Sequence, residues 1–216
     1  MVDQVGSAGT ARSRGGRRRT GEVLDGLVAA GVSQARAGGP DAVVLREATR
    51  AVGVSPNAAY RHFADRDDLL AAVAWQATAM LASRIQRDLD AVPGRAGTMT
   101  WARARLSAVG HAYLDFAHDE PGLFRTAFSA PVGPHAARAH ADTDRGASST
   151  PLEILNGTLD DLVTAGALPR ARRARATPLA WAAVHGLATL RLAGALVDDD
   201  RSALDDALDR FIQRGL

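Results

Sequence analysis

Residues 39–70 read GPDAVVLREATRAVGVSPNAAYRHFADRDDLL, and this stretch decides the fold. A short helix carrying Val44, Leu45 and Ala48 stops at Val52-Gly53-Val54, where a glycine tolerates the positive φ of a tight corner. A second helix opens with Ser55 as N-cap and Pro56 at the first helical position, where the missing N–H costs nothing. Its few residues put Asn57, Tyr60 and Arg61 on one side and turn Ala59 and Phe63 toward a core. Asp65-Arg66-Asp67-Asp68-Leu69-Leu70 then begins a long third helix. Two short helices about a glycine corner, the second one polar and cationic on its open side, form a probe for the major groove. The pattern implies DNA binding.

Composition agrees with a basic reading head on a larger body. The 216 residues contain no cysteine, which excludes disulfides, thiolate zinc sites and cysteine nucleophiles and suits a reducing cytoplasm. No lysine occurs either, so every basic side chain other than histidine is an arginine. Residues 1–63 hold nine arginines against five acids, whereas the whole chain carries only +2, so the remainder is slightly acidic. That asymmetry fits nucleic-acid contact at one end. No apolar run approaches the roughly 18 residues of a membrane helix, and the N-terminus lacks the apolar core of a signal peptide. The expected location is the cytoplasm, with no membrane partner.

Working outward, residues 1–18 are rich in Gly, Ser, Ala and Arg and are expected to be a disordered arm. Arg12, Arg14, Arg17, Arg18 and Arg19 could track phosphates or enter a minor groove. A first helix follows from Thr20 to about Ala37, with Val23, Leu24, Leu27 and Val28 at helical spacing. The long helix from Arg66 toward Ala91 starts in the head and ends in the body. Further helices are expected at Thr100 to His118, Leu123 to Ala130, Pro151 to Ala165 and Thr177 to Leu196. A last one carries Leu204, Leu208, Phe211 and Ile212. Residues 131–150 have no hydrophobic periodicity and read as a mobile loop. No strand is evident. The fold class is all-α: a helix-turn-helix domain at 19–66 and a helical body at 67–216.

The run Gly53, Val54, Ser55, Tyr60, His62 and Phe63 resembles the DNA-binding end of the tetracycline-repressor (TetR) family, and residues 65–70 are similar to the start of that family's fourth helix. Trp181, His185 and Gly186 resemble a Trp/His/Gly signature in the ligand-binding domain of a subset of the family. Tyr113-Leu114-Asp115-Phe116 and Pro121-Gly122-Leu123-Phe124 are similar to that subset as well. The resemblance implies a homodimeric regulator of double-stranded operator DNA, most simply a repressor released by a small apolar or amphipathic effector. It implies dimerisation through the last two helices.

Residue by residue, the resemblance places Arg46 where it can reach a base edge, though a solvated Arg46 or one paired with Glu47 or Asp41 is the alternative. Pro56, Asn57 and Ala58 face the groove floor; Asn57 can read adenine, while Pro56 and Ala58 offer only apolar contact. Tyr60 and His62 match a backbone-contacting pair, and Arg61 serves either purpose. Ser55 and the amides around Arg66 can bind phosphate, since a helix start favours anions. One departure stands out: Val44 and Leu45 occupy positions where the family offers Ser or Thr to phosphate, so Thr49, Arg50 or the arm would have to replace those contacts.

In the body, Trp75, Tyr113, Phe116, Phe124, Phe128, Trp181 and His185 could line an apolar cavity with one or two polar anchors. Each of them could equally be plain core, and Trp181 and His185 could instead meet a partner chain. His111, Asp115, His118, Asp119 and Glu120 lie close in sequence, but His111 and His118 are two turns apart and the rest straddle a helix end. Capping and solvation explain them better than a metal or acid–base site. Without a phosphate-cradling glycine loop or a serine elbow, no catalytic residue, metal ligand or cofactor is expected. The rival to a ligand-released repressor is an architectural DNA-binding protein with no effector.

Overall fold

A computed structural model describes residues 14–129 and 149–196, and every regular element among them is helical. α1 spans Arg14–Gly38, α2 Leu45–Val52, α3 Pro56–Tyr60, α4 Arg66–Asp90, α5 Met99–Asp119, α6 Pro121–Ala127, α7 Pro151–Thr164 and α8 Arg173–Leu192. Two 3-10 turns, Pro40–Ala42 and Arg170–Arg172, connect α1 to α2 and α7 to α8. None of these helices is long and apolar enough to cross a membrane.

The head is built as its residues require. Gly53 closes α2 in the left-handed region at φ 73°, and its N–H reaches the Thr49 and Arg50 carbonyls. The Ser55 hydroxyl accepts from the Ala58 N–H and caps α3, a contact worth about 1 kcal/mol at a helix start. Leu27, Val43, Leu45, Ala48, Ala59, Phe63, Leu69 and Val73 bury the interior of this three-helix unit. α2 lacks a capping side chain because Val44 is its N-cap. Gln34 of α1 supplies one: its Oε1 accepts from the Val44 N–H at 3.1 Å, and its Nε2 donates to the Val44 carbonyl at 3.4 Å.

Several expectations about the ends of helices change: α6 spans Pro121–Ala127 rather than Leu123 to Ala130, and α8 ends at Leu192 rather than Leu196. α1 starts at Arg14 rather than Thr20, so residues 14–18 are helical and not part of a disordered arm. Once α1 is fixed on the head, each further residue adds a backbone hydrogen bond, and arginine is a good helix former; residues 1–13 lie outside the described set. α8 starts four residues before Thr177 and carries Pro178 within it. Arg173 secures that early turn by bonding Asp160 at 2.6 Å, Asn156 at 2.9 Å and Thr177 at 2.9 Å. Thr150, read as loop, is the N-cap of α7 in a reciprocal capping box with Glu153. The rest of the expected loop and the last helix, with Leu204, Leu208, Phe211 and Ile212, fall outside the described residues.

Head and body join at two places. α4, about 37 Å long at 1.5 Å per residue, buries Leu69, Leu70 and Val73 toward the head and Leu81, Ile85 and Leu89 further along. Separately, the first turn of α6 lies on the last turn of α1. Gly122 is so close that an added Cβ would overlap the Ala35 carbonyl oxygen and come within 2.7 Å of that of Arg36. Beside this contact the Arg36 guanidinium grips both oxygens of Glu120, at 2.7 and 3.0 Å. Because the overlap is with backbone, Gly122→Ala must push α6 off α1. We expect it to lower unfolding stability by roughly 1–3 kcal/mol, the usual range for overpacking. An unchanged denaturation midpoint would show that α6 can leave α1 without cost.

Candidate nucleic-acid interface and the aromatic cluster behind it

α3 presents Pro56, Asn57, Tyr60 and Arg61 to solvent while Ala59 is fully buried, so the face read as a probe from sequence is the open face. Tyr60 is 50% exposed, unusual for an aromatic side chain with a core nearby. Arg46 projects from α2 toward the same side and pairs with neither Glu47 nor Asp41 among the described residues. Leu45, Arg46, Thr49, Val54, Pro56 and Tyr60 border an open groove of about 500 Å³ between α2 and α3. Ala58 and His62 are half-buried beside it, and Ser55 is exposed.

Some sequence candidates turn elsewhere. Arg66 is half-buried and committed to structure: its Nε donates to the Val43 carbonyl at 2.9 Å and its Nη2 to that of Pro40 at 2.6 Å. The amides at the start of α4 do not await a phosphate either. Asp65 caps the Asp68 N–H, Asp68 accepts from the Ala64 N–H, and Asp67 adds a third carboxylate. Three acids fill and repel the site that anions would favour. Thr49 is only 6% exposed and its hydroxyl donates back to the Leu45 carbonyl at 2.7 Å, so it cannot replace a lost phosphate contact. Arg50 remains exposed but is held by Glu47 at 2.8 Å.

The carboxylates weighed as acid–base or metal groups are ion-pair partners. Arg84 of α4 lies 3.1 Å from Asp119 and 3.7 Å from both Asp88 and Asp115, while Glu120 is taken by Arg36. Among the described residues no three metal-ligating groups converge.

In the body, five of the seven predicted cavity residues do converge. The rings of Tyr113, Phe124, Phe128, Trp181 and His185 form one cluster, with centroids 4.8–6.5 Å apart between contacting pairs. The Tyr113 hydroxyl and His185 Nδ1 are 2.8 Å apart. Burial pushes the Tyr113 phenol well above its ordinary range and holds the His185 imidazolium below its own, so both side chains are kept neutral. Phe116 is buried on α5 but makes no ring contact with the cluster among the described residues. Trp75 lies in the first half of α4, whereas the wall that α4 gives the body cavity is Ile85. Ten residues of helix separate the two by about 15 Å. The cavity beside Tyr113 and Trp181, lined also by Leu106, Val109, Leu155 and Val184, measures only about 20 Å³. It holds little more than one water molecule.

Two features of the site carried no sequence signal. Gln34 stands ten residues from the helix it caps. The Arg36–Glu120 pair spans 84 residues. Only contact in three dimensions identifies either.

Comparison with known proteins is consistent across both halves. Residues 27–73 match the model of bacterial regulatory proteins of the tetR family, and residues 106–214 match the tetracyclin repressor-like C-terminal domain. No curated protein matches the chain. Among solved structures, a protein of unknown function from Rhodococcus sp. RHA1 is 26% identical, with 90% of this chain and 95% of that one covered and a TM-score of 0.69. The transcriptional regulator FadR from Bacillus subtilis, in complex with stearoyl-CoA, is 15% identical (89% and 98% covered, TM-score 0.61). A TetR family transcription regulator from Marinobacter aquaeolei VT8 is 17% identical (92% and 97% covered, TM-score 0.59). The last two likenesses establish the fold alone.

The cluster has a pH signature. His185 is protonated less readily in the folded chain than in the unfolded one, whose value lies near the ordinary 6.5. Its contribution to stability is therefore complete above that value and declines as pH falls through it, because the unfolded chain then takes up the proton first. Melting temperatures should drop more steeply between about pH 7 and pH 5 for the unaltered chain than for His185→Gln. Parallel pH profiles would mean that His185 is as open to water as in the unfolded state.

Proposed function

Because the chain belongs to the tetracycline-repressor family of DNA-binding transcriptional regulators, we propose that it acts as a homodimeric repressor released from its operator by a small ligand. The observation that carries this reading is the open face of α3, where Pro56, Asn57, Tyr60 and Arg61 stand beside Arg46 while Ala59 is locked into the core. Two such heads would enter successive major grooves of a near-palindromic site, about 34–36 Å apart. Pro56, Asn57, Ala58 and Arg46 would face base edges. Tyr60 and His62 would hold the sugar–phosphate backbone, with Arg61 and the Ser55 hydroxyl adding polar contacts. Arg66 would act on the head rather than on DNA, tying α4 to the entry of α2 and so fixing the angle of the reading unit.

A second copy would cover α8. Its outer face is a stripe of exposed Leu179, Ala182, Ala183 and Leu190 with half-buried Gly186 beside it, apolar and small enough for helices to approach closely. This orientation supports a division of labour within the signature: Trp181 and His185 point into the body, and Gly186 lies toward the partner. The domain boundary then falls inside α4, which both units share, with the body from about residue 67 onward. A protein reading chromosomal DNA would work in the bacterial cytoplasm.

For ligand release, the aromatic cluster supplies the site and α6 the connection. Phe124 belongs to both: its ring contacts Tyr113 and His185, and its helix begins against α1. A ligand that displaces Phe124 would shift α6 against Ala35 and Arg36, and so tilt α1 and α4 together. Operator DNA must then weaken ligand binding by the same factor that ligand weakens DNA binding.

Selection of bound sequences from randomised DNA at fixed moderate salt tests the reading of α3. We expect Arg46→Ala or Asn57→Ala to relax preference at particular base pairs, by roughly 1–3 kcal/mol for a two-bond base contact, and Tyr60→Ala to weaken all sequences alike. An equal loss on every sequence for both Arg46→Ala and Asn57→Ala would remove the base-reading role.

A further inference from the structure

A second cationic surface lies at the end of the body away from α3. α4 starts in the head and runs about 37 Å along its axis to Asp90. There its last turn meets the start of α5, the last turn of α7 and the first turn of α8. Arg105 donates to the Asp161 carboxylate at 3.0 Å and to the Leu89 carbonyl at 3.5 Å, and Arg173 donates to Asp160 at 2.6 Å. Arg95 stands on the α4–α5 connection at this end, and Arg170, Arg172 and Arg175 stand on the 3-10 turn and first turn of α8. All four are exposed, and none pairs with an acid among the described residues. Residues 91–114 and 162–197 contain no aspartate or glutamate at all. The acids nearest this end are already engaged: Asp160 by Arg173, Asp161 by Arg105, Asp88 by Arg84 and Asp90 by Gln86.

The backbone does not offset these charges either. α8 begins at Arg173 with Arg172 as N-cap, no capping side chain and no acid in its first turn. The positive pole of the helix therefore adds to the arginines. At the same end, in the second turn of α5, the Nε of Arg103 is buried with no acceptor among the described residues, an arrangement that an approaching anion would relieve. Arginines of like charge held on rigid elements attract a polyanion, and a guanidinium can meet a phosphate through two hydrogen bonds.

The surroundings of the arginines choose among polyanions. Only small residues, Pro169, Ala171 and Ala174, lie between those of the α7–α8 connection, and no exposed aromatic side chain stands among them. Met99 is exposed on the α5 side, and Leu179 belongs to the face given to the second copy. A folded acidic protein would need an apolar centre to its interface, and a membrane would need apolar side chains to insert below its headgroups. A DNA backbone needs neither, since its phosphates are held by charge and hydrogen bonds.

We propose that this end of the body binds the phosphate backbone of a second DNA duplex, without regard to sequence, while α3 reads the operator. The length of α4 keeps these arginines off the duplex that α3 reads, so the second site tethers another segment and brings two stretches of DNA together. The proposal rests on the reading of the chain as a DNA-binding regulator and adds a site which that reading does not use.

The test loads the full chain onto beads carrying the selected operator duplex and offers it a labelled non-operator duplex at fixed moderate salt. We expect the labelled duplex to be retained, and its affinity to fall at least tenfold in the triple variant Arg170→Gln/Arg172→Gln/Arg175→Gln. The log–log salt slope of that retention should flatten by about 0.9 for each phosphate contact removed. Operator affinity should stay within twofold, which also shows that the variant is folded. No retention of the second duplex, or equal retention by the variant, would overturn the proposal. So would stronger competition by polyglutamate or by phosphatidylglycerol vesicles than by DNA at equal charge, which would make the occupant an acidic protein or a membrane. If no operator can be selected, fluorescence anisotropy with random duplexes separates the two readings. Binding lost in the triple variant but kept in Arg46→Ala/Arg61→Ala upholds the distal site and sinks the reading of α3. The converse sinks the distal site and leaves the head.

Discussion

The contact of α6 with the end of α1 constrains everything around it. Gly122 brings two backbones together with no side chain between them, so neither helix can slide without the other. α1 in turn carries Gln34, which caps α2, and packs Leu27 in the core that seats α3. Through Arg66, α4 grips the same entry segment from the opposite side at Val43 and Pro40. α3 is therefore seated among α1, α2 and α4, which are tied together by side-chain-to-backbone hydrogen bonds and buried apolar contact. A short helix of five residues has almost no stability of its own; its orientation is borrowed from those three.

The ion pairs across these joints act differently from the packing. Arg36–Glu120 crosses from α1 to the start of α6, whereas the Arg84 set ties α4 to α5 within the body; both are partly exposed, and such pairs contribute little to stability in water. Their value is directional. Arg36 shares its one Nε–H between both oxygens of Glu120, which aims the start of α6 at the end of α1. Head and body are thus joined at the α1–α6 contact as well as along α4.

Much of the head was legible because its constraints are local. A glycine that must be left-handed, a serine that must cap and a proline that fits only a first turn fix residues 53–60 by short-range chemistry. The burial of Ala59 against the exposure of Tyr60 follows from helical period. The body was legible in class but less so in detail. Tyr113, Phe124, Phe128, Trp181 and His185 were nameable as aromatic candidates, but only folding shows that these five rings meet in one cluster. Arg66 and Thr49 misled because their sequence positions fit phosphate contacts. Their polar atoms were claimed instead by carbonyls whose positions depend on tertiary structure. The backward extension of α8 past Pro178 was hidden for the same reason, since Asn156 and Asp160 come from another helix.

The central claim is that a rigid body holds two α3 helices at one fixed separation. The most direct measurement compares affinity for a selected two-fold symmetric duplex with affinity for the same duplex in which the half-sites are moved apart by about five base pairs, half a helical turn. The account predicts that the shift rotates one half-site to the far side of the DNA and removes tight binding, leaving only salt-sensitive association. Equal affinity at both spacings would mean that the heads bind independently, and would contradict it.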